Sequence, residues 1–156
     1  MTAADTTEPD GIAIRRALPA DASAIADVFL NSFHATYDFP LAHTDEEVRA
    51  WVADDLVATE ETWVAEDGGR VVAMMVLDEV GLDQLYVDPA WHRRGIGGRL
   101  VALAKDRRPA GLALYTFQVN ERARRFYEHH GFVVAWLGDG SANEEGQPDV
   151  LYRWQP

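Results

Sequence analysis

Between Asp88 and Leu100 the chain reads Asp-Pro-Ala-Trp-His-Arg-Arg-Gly-Ile-Gly-Gly-Arg-Leu, with a strand-like run before it and a helical pattern after it. Glycines at such a turn let the backbone approach a ligand closely. The first N–H groups of a helix have no intrahelical partner, and the helix dipole favours negative charge beside them. The glycines of Gly95-Ile-Gly-Gly98 and the helix start together are thus expected to form an anion cradle suited to a pyrophosphate. Arg93, Arg94 and Arg99 add charge-assisted contacts. A dinucleotide fingerprint would need glycine where Leu100 stands, and a P-loop would need a Gly-Lys-Ser/Thr that is absent. The bland alternative is a tight strand-to-helix connection that holds no ligand.

Composition narrows the class. The 156 residues suit one domain, and 47% apolar content suits a globular one. There is no cysteine, which excludes disulfides, thiolate metal sites and a covalent acyl-cysteine. The net charge of −12 would repel nucleic acid. Yet nine of the 14 basic residues, and only two of the 26 acidic ones, lie between Trp91 and Tyr127. That zone suits a small anion such as a phosphorylated cofactor; its alternative reading is a set of solvated helix faces. No apolar run approaches the ~20 residues that span a bilayer. Met1 to Asp10, polar and acidic, reads as a disordered lead-in without a signal peptide, so the chain is expected to be cytoplasmic.

Seven strands and four helices are expected to position these residues. Ile12 to Ala17 is the first strand, and Ile25, Val28, Phe29 and Phe33 then recur at helical spacing after a start at Pro19 and Asp21. Thr44 and Glu47 have capping-box spacing, which places a helix over about Asp45 to Val57. Glu61 to Glu66 and Arg70 to Leu77 flank the hairpin turn Asp67-Gly68-Gly69. Leu82 to Val87 is the strand that feeds the glycine-rich loop. The helix after the loop has the stripe Ile96, Leu100 and Leu103. Leu112 to Val119, a helix from Asn120 to His130 with Gly131 as its exit, Phe132 to Leu137 and Val150 to Trp154 complete one α/β domain, residues 11–156, with a mixed, twisted sheet.

Val87 to Leu100 resembles motif A of the GNAT superfamily of acyl-CoA-dependent N-acyltransferases. Asn120-Glu-Arg-Ala-Arg-Arg-Phe-Tyr-Glu-His-His-Gly-Phe132 resembles its motif B. The order and spacing also match, and the resemblance covers about Ile12 to Trp154. One position departs: His92 stands where the family usually has Gln or Arg. The resemblance implies a GNAT-like fold, acetyl-CoA as co-substrate and direct transfer to an amine in a ternary complex. It implies that Leu85, Tyr86 and Val87 offer backbone groups to the pantetheine arm, an N–H there polarising the thioester carbonyl. His92, Arg93, Arg94, Gly95, Ile96, Gly97 and Gly98 would hold the pyrophosphate, Asn120 would contact pantetheine, and Tyr127 would protonate the CoA thiolate. On their own terms Asn120 is also a plain N-cap and Tyr127 a core tyrosine.

An ammonium acceptor must lose a proton before attack. Asp83 and Glu79 are the candidate bases, directly or through water, with His34 a third; each also reads as a surface or structural group. His43, His129 and His130 lack metal spacing with carboxylates, and no metal is expected. Glu144, Glu145, Asp149 and Asp38 are expected on the far side of the cleft, which suggests a cationic amine, small-molecule or peptide, as acceptor. Neither nucleic acid nor membrane is an expected partner, and a homodimer is left open. The competing function is a non-catalytic acyl-CoA-binding or sensing module.

Overall fold

The computed structural model describes Thr6, Thr7 and residues 11–156. The remainder of the expected lead-in lies outside the described residues; Thr6–Thr7 form a short strand β1 paired with β2 (Ile12–Arg16). After a 3₁₀ turn at Pro19–Asp21 come α1 (Ala22–Thr36) and α2 (Asp45–Trp51), the latter continued by a π-helical stretch, Val52–Val57. Strands β3 (Glu61–Asp67), β4 (Arg70–Leu77) and β5 (Leu82–Val87) follow. Then come α3 (Ile96–Arg107), β6 (Leu112–Phe117), α4 (Glu121–His129), β7 (Val133–Gly138) and β8 (Asp149–Trp154).

The local signals act as expected. Thr44 Oγ1 accepts from the Glu47 N–H while the Thr44 N–H donates to Glu47, a complete capping box. Helix α1 buries Ile25, Val28, Phe29 and Phe33. In α3 the stripe is shifted: Ile96, Leu100, Val101 and Ala104 are buried, and Leu103 is only half-buried.

Strand β4 is buried along almost its whole length because helices cover both sheet faces. Met74 and Val76 pack with α1 and α2, while Met75 and Leu77 pack with α3 and α4. The strands divide into two antiparallel sheets, ordered β1-β2-β3-β4-β5 and β6-β8-β7. The mixed character rests on one parallel bridge, Gly81 to Ala113, where β5 and β6 begin. The Ala113 N–H donates to the Val80 carbonyl at 3.1 Å, so the two sheets are joined at the start of β5 and β6.

Candidate active site

The open side of that junction is a cleft of about 1760 Å³ lined by β5, β6, α1, α2, the α3 N-terminus, α4 and the loops before α2 and between β7 and β8. The phase of the β4–β5 ladder decides which backbone groups face it. The Asp88 N–H donates to the Val72 carbonyl at 2.9 Å, and Ala73 pairs with Val87 in the next position. Antiparallel pairs alternate between bonded and non-bonded. Tyr86 and Gln84 therefore spend their backbone groups on β4, whereas Leu85 and Val87 turn theirs to the free edge of β5. The Val87 carbonyl is already occupied: Ser32 Oγ donates to it at 3.1 Å and His92 Nε2 contacts it at 2.9 Å. Because a carbonyl only accepts, that His92 nitrogen carries its proton. His92 is half-buried and its pKa is pushed below the usual histidine value, first by desolvation, with the charge of Arg122 acting the same way. Its ring thus braces the strand end.

The loop makes a tight turn into α3. Gly95 caps α3 in a left-handed conformation, φ 76°, which glycine adopts without penalty, and Arg93 is the one non-glycine residue at positive φ, 66°, among those described. The glycines within α3 have another duty. A Cβ on Gly97 would lie 3.1 Å from the Phe126 ring, and one on Gly98 3.3 Å from His130, so both permit α4 to pack closely. Of the expected arginines only Arg93 lines the cleft. The Arg94 guanidinium stacks over Trp91 at 4.5 Å, and Arg99 donates to the Ile12 carbonyl at 3.1 Å. Arg122, which motif spacing alone did not single out, supplies a second cleft-lining cation.

Tyr127 is a core side chain that also borders the cleft. It is 7% exposed, packs edge-on against Phe126 and Phe132, and lines the cleft. Burial pushes its hydroxyl well above the ordinary tyrosine value. Reference values of ~10 for a phenol and ~8.5 for a thiol already make full proton transfer to a thiolate uphill by roughly 2 kcal/mol in water. With the Tyr127 hydroxyl raised further by burial, a transfer from it would need the thiolate to be as poorly solvated as the phenol. Asn120 caps α4 by accepting from the Ala123 N–H at 3.0 Å and also donates to the Tyr37 hydroxyl at 2.9 Å. Tyr37, brought in by the α1 exit, stacks with Phe33, Phe39 and Phe117 into an aromatic wall.

The cleft is also lined by carboxylates: Glu47, Asp54, Asp55, Asp78, Asp83, Glu144 and Glu145. His43, in the loop before α2, contacts Glu144 of the β7–β8 loop and Glu47 of α2, and the Ala42 N–H donates to Glu145 at 3.2 Å. Asp83 is the bulged residue of β5, since Val76 pairs with Gln84 and Leu77 with Leu82. Its carboxyl is raised by desolvation, then by Asp78, against a hydrogen bond from Gln84. Glu79 does not join it; it lines a separate shallow depression with Glu60 and Arg108. His34 is exposed beside Asp45 and lines no part of the cleft. Asp38 is outside it too, and Asp149 is buried, accepting from Asn143 at 3.2 Å.

The pattern that defines the Acetyltransferase (GNAT) domain matches residues 58–134. The chain is 30% identical to the Escherichia coli peptidyl-lysine N-acetyltransferase YiaC, over 79% of this chain and 86% of that one. The solution structure of apo YjaB from Escherichia coli superposes with a TM-score of 0.76 at 26% identity, covering 92% of this chain and 97% of that one. Salmonella typhimurium yncA, solved with acetyl-CoA, has a TM-score of 0.71 at 19% identity, covering 92% and 93%. The chain belongs to the GNAT superfamily and is an N-acetyltransferase.

Proposed function

We propose that the protein transfers the acetyl group of acetyl-CoA directly to a cationic primary amine, of the kind a lysine side chain presents. The observation that carries this reading is that one cleft is lined both by cationic groups, Arg93, Arg122 and the α3 N-terminus, and by seven carboxylates. The anionic part of CoA suits the first set and an ammonium the second. The relative YiaC is a peptidyl-lysine acetyltransferase, and yncA is described with acetyl-CoA.

In this reading the outward N–H of Leu85 or Val87 stabilises the charge that grows on the thioester oxygen. Asp83, directly or through water, takes the proton the amine releases, and its raised carboxyl suits a base. Tyr127 gives its proton to sulfur as the C–S bond breaks and regains one from solvent. Asn120 and Tyr37 shape the wall beside the reacting centre. Glu79, outside the cleft, takes no part.

Thiol release from acetyl-CoA with a panel of matched amines tests the reading. Cationic acceptors should be acetylated faster than neutral or anionic ones. The reverse order would refute the acceptor class, and acetyl-CoA binding without thiol release from any amine would favour a sensing module.

A further inference from the structure

Helix α1 packs on β4 and β5 of the first sheet, and the chain leaves it at Tyr37. Before α2 begins at Asp45 the chain makes contact with the second sheet. Tyr37 and Phe39 pack edge-on against Phe117 of β6, and the Tyr37 hydroxyl accepts from Asn120 at the head of α4. Further on, the Ala42 N–H donates to Glu145 at 3.2 Å and His43 contacts Glu144, both in the β7–β8 loop. Tyr37, Leu41 and His43 themselves line the cleft. Residues 37–43 therefore form a strap that spans the cleft, a second link between the two sheets besides the Gly81–Ala113 bridge.

The last tie of the strap is ionic. His43 Nε2 meets Glu144, and its Nδ1 lies 3.7 Å from Glu47 of α2. Glu47 spends its other oxygen on the Thr44 N–H, in the capping box of α2. The neighbouring carboxylates are otherwise engaged: Asp45 faces His34 at 3.9 Å, and Glu145 accepts from Ala42. Glu144 first, and Glu47 with it, hold the His43 pKa above the ordinary histidine value against desolvation. An imidazolium thus already sits on two of the seven carboxylates that line the cleft.

We infer that His43 is a built-in competitor for the acceptor: its side chain occupies Glu144 and Glu47 and holds the strap shut, and an entering ammonium takes those carboxylates over. This inference rests on the proposed preference for a cationic amine. A histidine with a raised pKa holds its partners below that pKa and lets them go as pH rises through it. An alkyl ammonium, of reference pKa ~10, keeps its charge over the same range. His43 therefore acts on acceptor binding and leaves acyl transfer itself alone.

The test is the KM of a lysine-containing peptide from neutral to alkaline pH, with saturating acetyl-CoA. His43→Gln keeps a donor without a charge. It should lower that KM about threefold at neutral pH, the scale of an exposed ion pair, with kcat and the acetyl-CoA KM unchanged. The gap from wild type should close as pH rises. His43→Arg, charged at every pH, should instead keep the KM high across the range. In a Glu144→Gln background the gain from His43→Gln should shrink. A KM unchanged or raised in His43→Gln, a gap that ignores pH, or a His43→Arg profile that follows wild type would each overturn the inference while leaving the acceptor class standing. Neutral acceptors outrunning cationic ones in the wild type would overturn both.

Discussion

Gly81 lies so close to Ala113 that a Cβ there would sit 2.3 Å from the Ala113 carbonyl oxygen. This contact is the bridge from which β5 and β6 diverge, so it sets the apex of the cleft. The neighbour is backbone and cannot turn aside. Gly81→Ala should therefore cost about 1–3 kcal/mol, the range of overpacked sites. Thermal unfolding reads the loss, and the KM for acetyl-CoA should rise with it because the cleft walls shift.

The arginines of the loop should divide by what they touch. Arg93→Ala and Arg122→Ala remove cleft-lining cations and should each raise the acetyl-CoA KM about tenfold, the scale of one charge-assisted hydrogen bond. Arg94→Ala removes a stack on Trp91 and should leave that KM within about twofold, since exposed cation–π contacts are weak. Steady-state kinetics with acetyl-CoA as the varied substrate checks the contrast.

Tyr127→Phe should lower kcat by about 10²–10⁴, the range for loss of a positioned acid. The hydroxyl has no hydrogen-bond partner among the described residues, so stability should barely change. An unchanged kcat, measured with saturating acetyl-CoA, would remove Tyr127 from the chemistry.

Stability should depend on pH through Glu61. Desolvation alone would raise its carboxyl, but hydrogen bonds from Arg107, Trp63 and Arg108 outweigh it and lower the pKa from 4.5 to about 2. A depressed carboxylate contributes stability above its unfolded value and loses it as pH falls through the folded one. Glu61→Gln should thus lower the melting temperature at neutral pH, and the difference from wild type should vanish as pH falls from 4.5 to about 2. Melting curves across that range check it.

Much of the fold was legible because its signals are local: the Thr44–Glu47 box, the Asp67–Gly69 turn, the strand limits Arg70–Leu77 and Leu82–Val87. The glycine-rich loop was legible for the same reason. What sequence could not supply depends on neighbours distant in the chain. Which of Leu85, Tyr86 and Val87 faces the cleft is set by hydrogen-bond phase against β4. Gly97 and Gly98 answer to Phe126 and His130 on another helix. Arg99 is drawn to the Ile12 carbonyl, while Tyr37 and Ser32 reach the site from α1 and its exit. Period-two spacing put Asp83 on one face with Leu85 and Val87, but the bulge at Asp83 depends on its pairing with β4.

Recognition of the acceptor by the acidic lining of the cleft is the central claim. Asp54 and Asp55 are exposed, line the cleft, and make no side-chain hydrogen bond among the described residues, so they can be reversed without disturbing the core. The decisive measurement is kcat/KM for a lysine-containing peptide with Asp54→Lys/Asp55→Lys, at low and high salt. A fall of about tenfold at low salt, shrinking at high salt while the acetyl-CoA KM holds, is the predicted result for screened attraction. An unchanged or increased kcat/KM would contradict it.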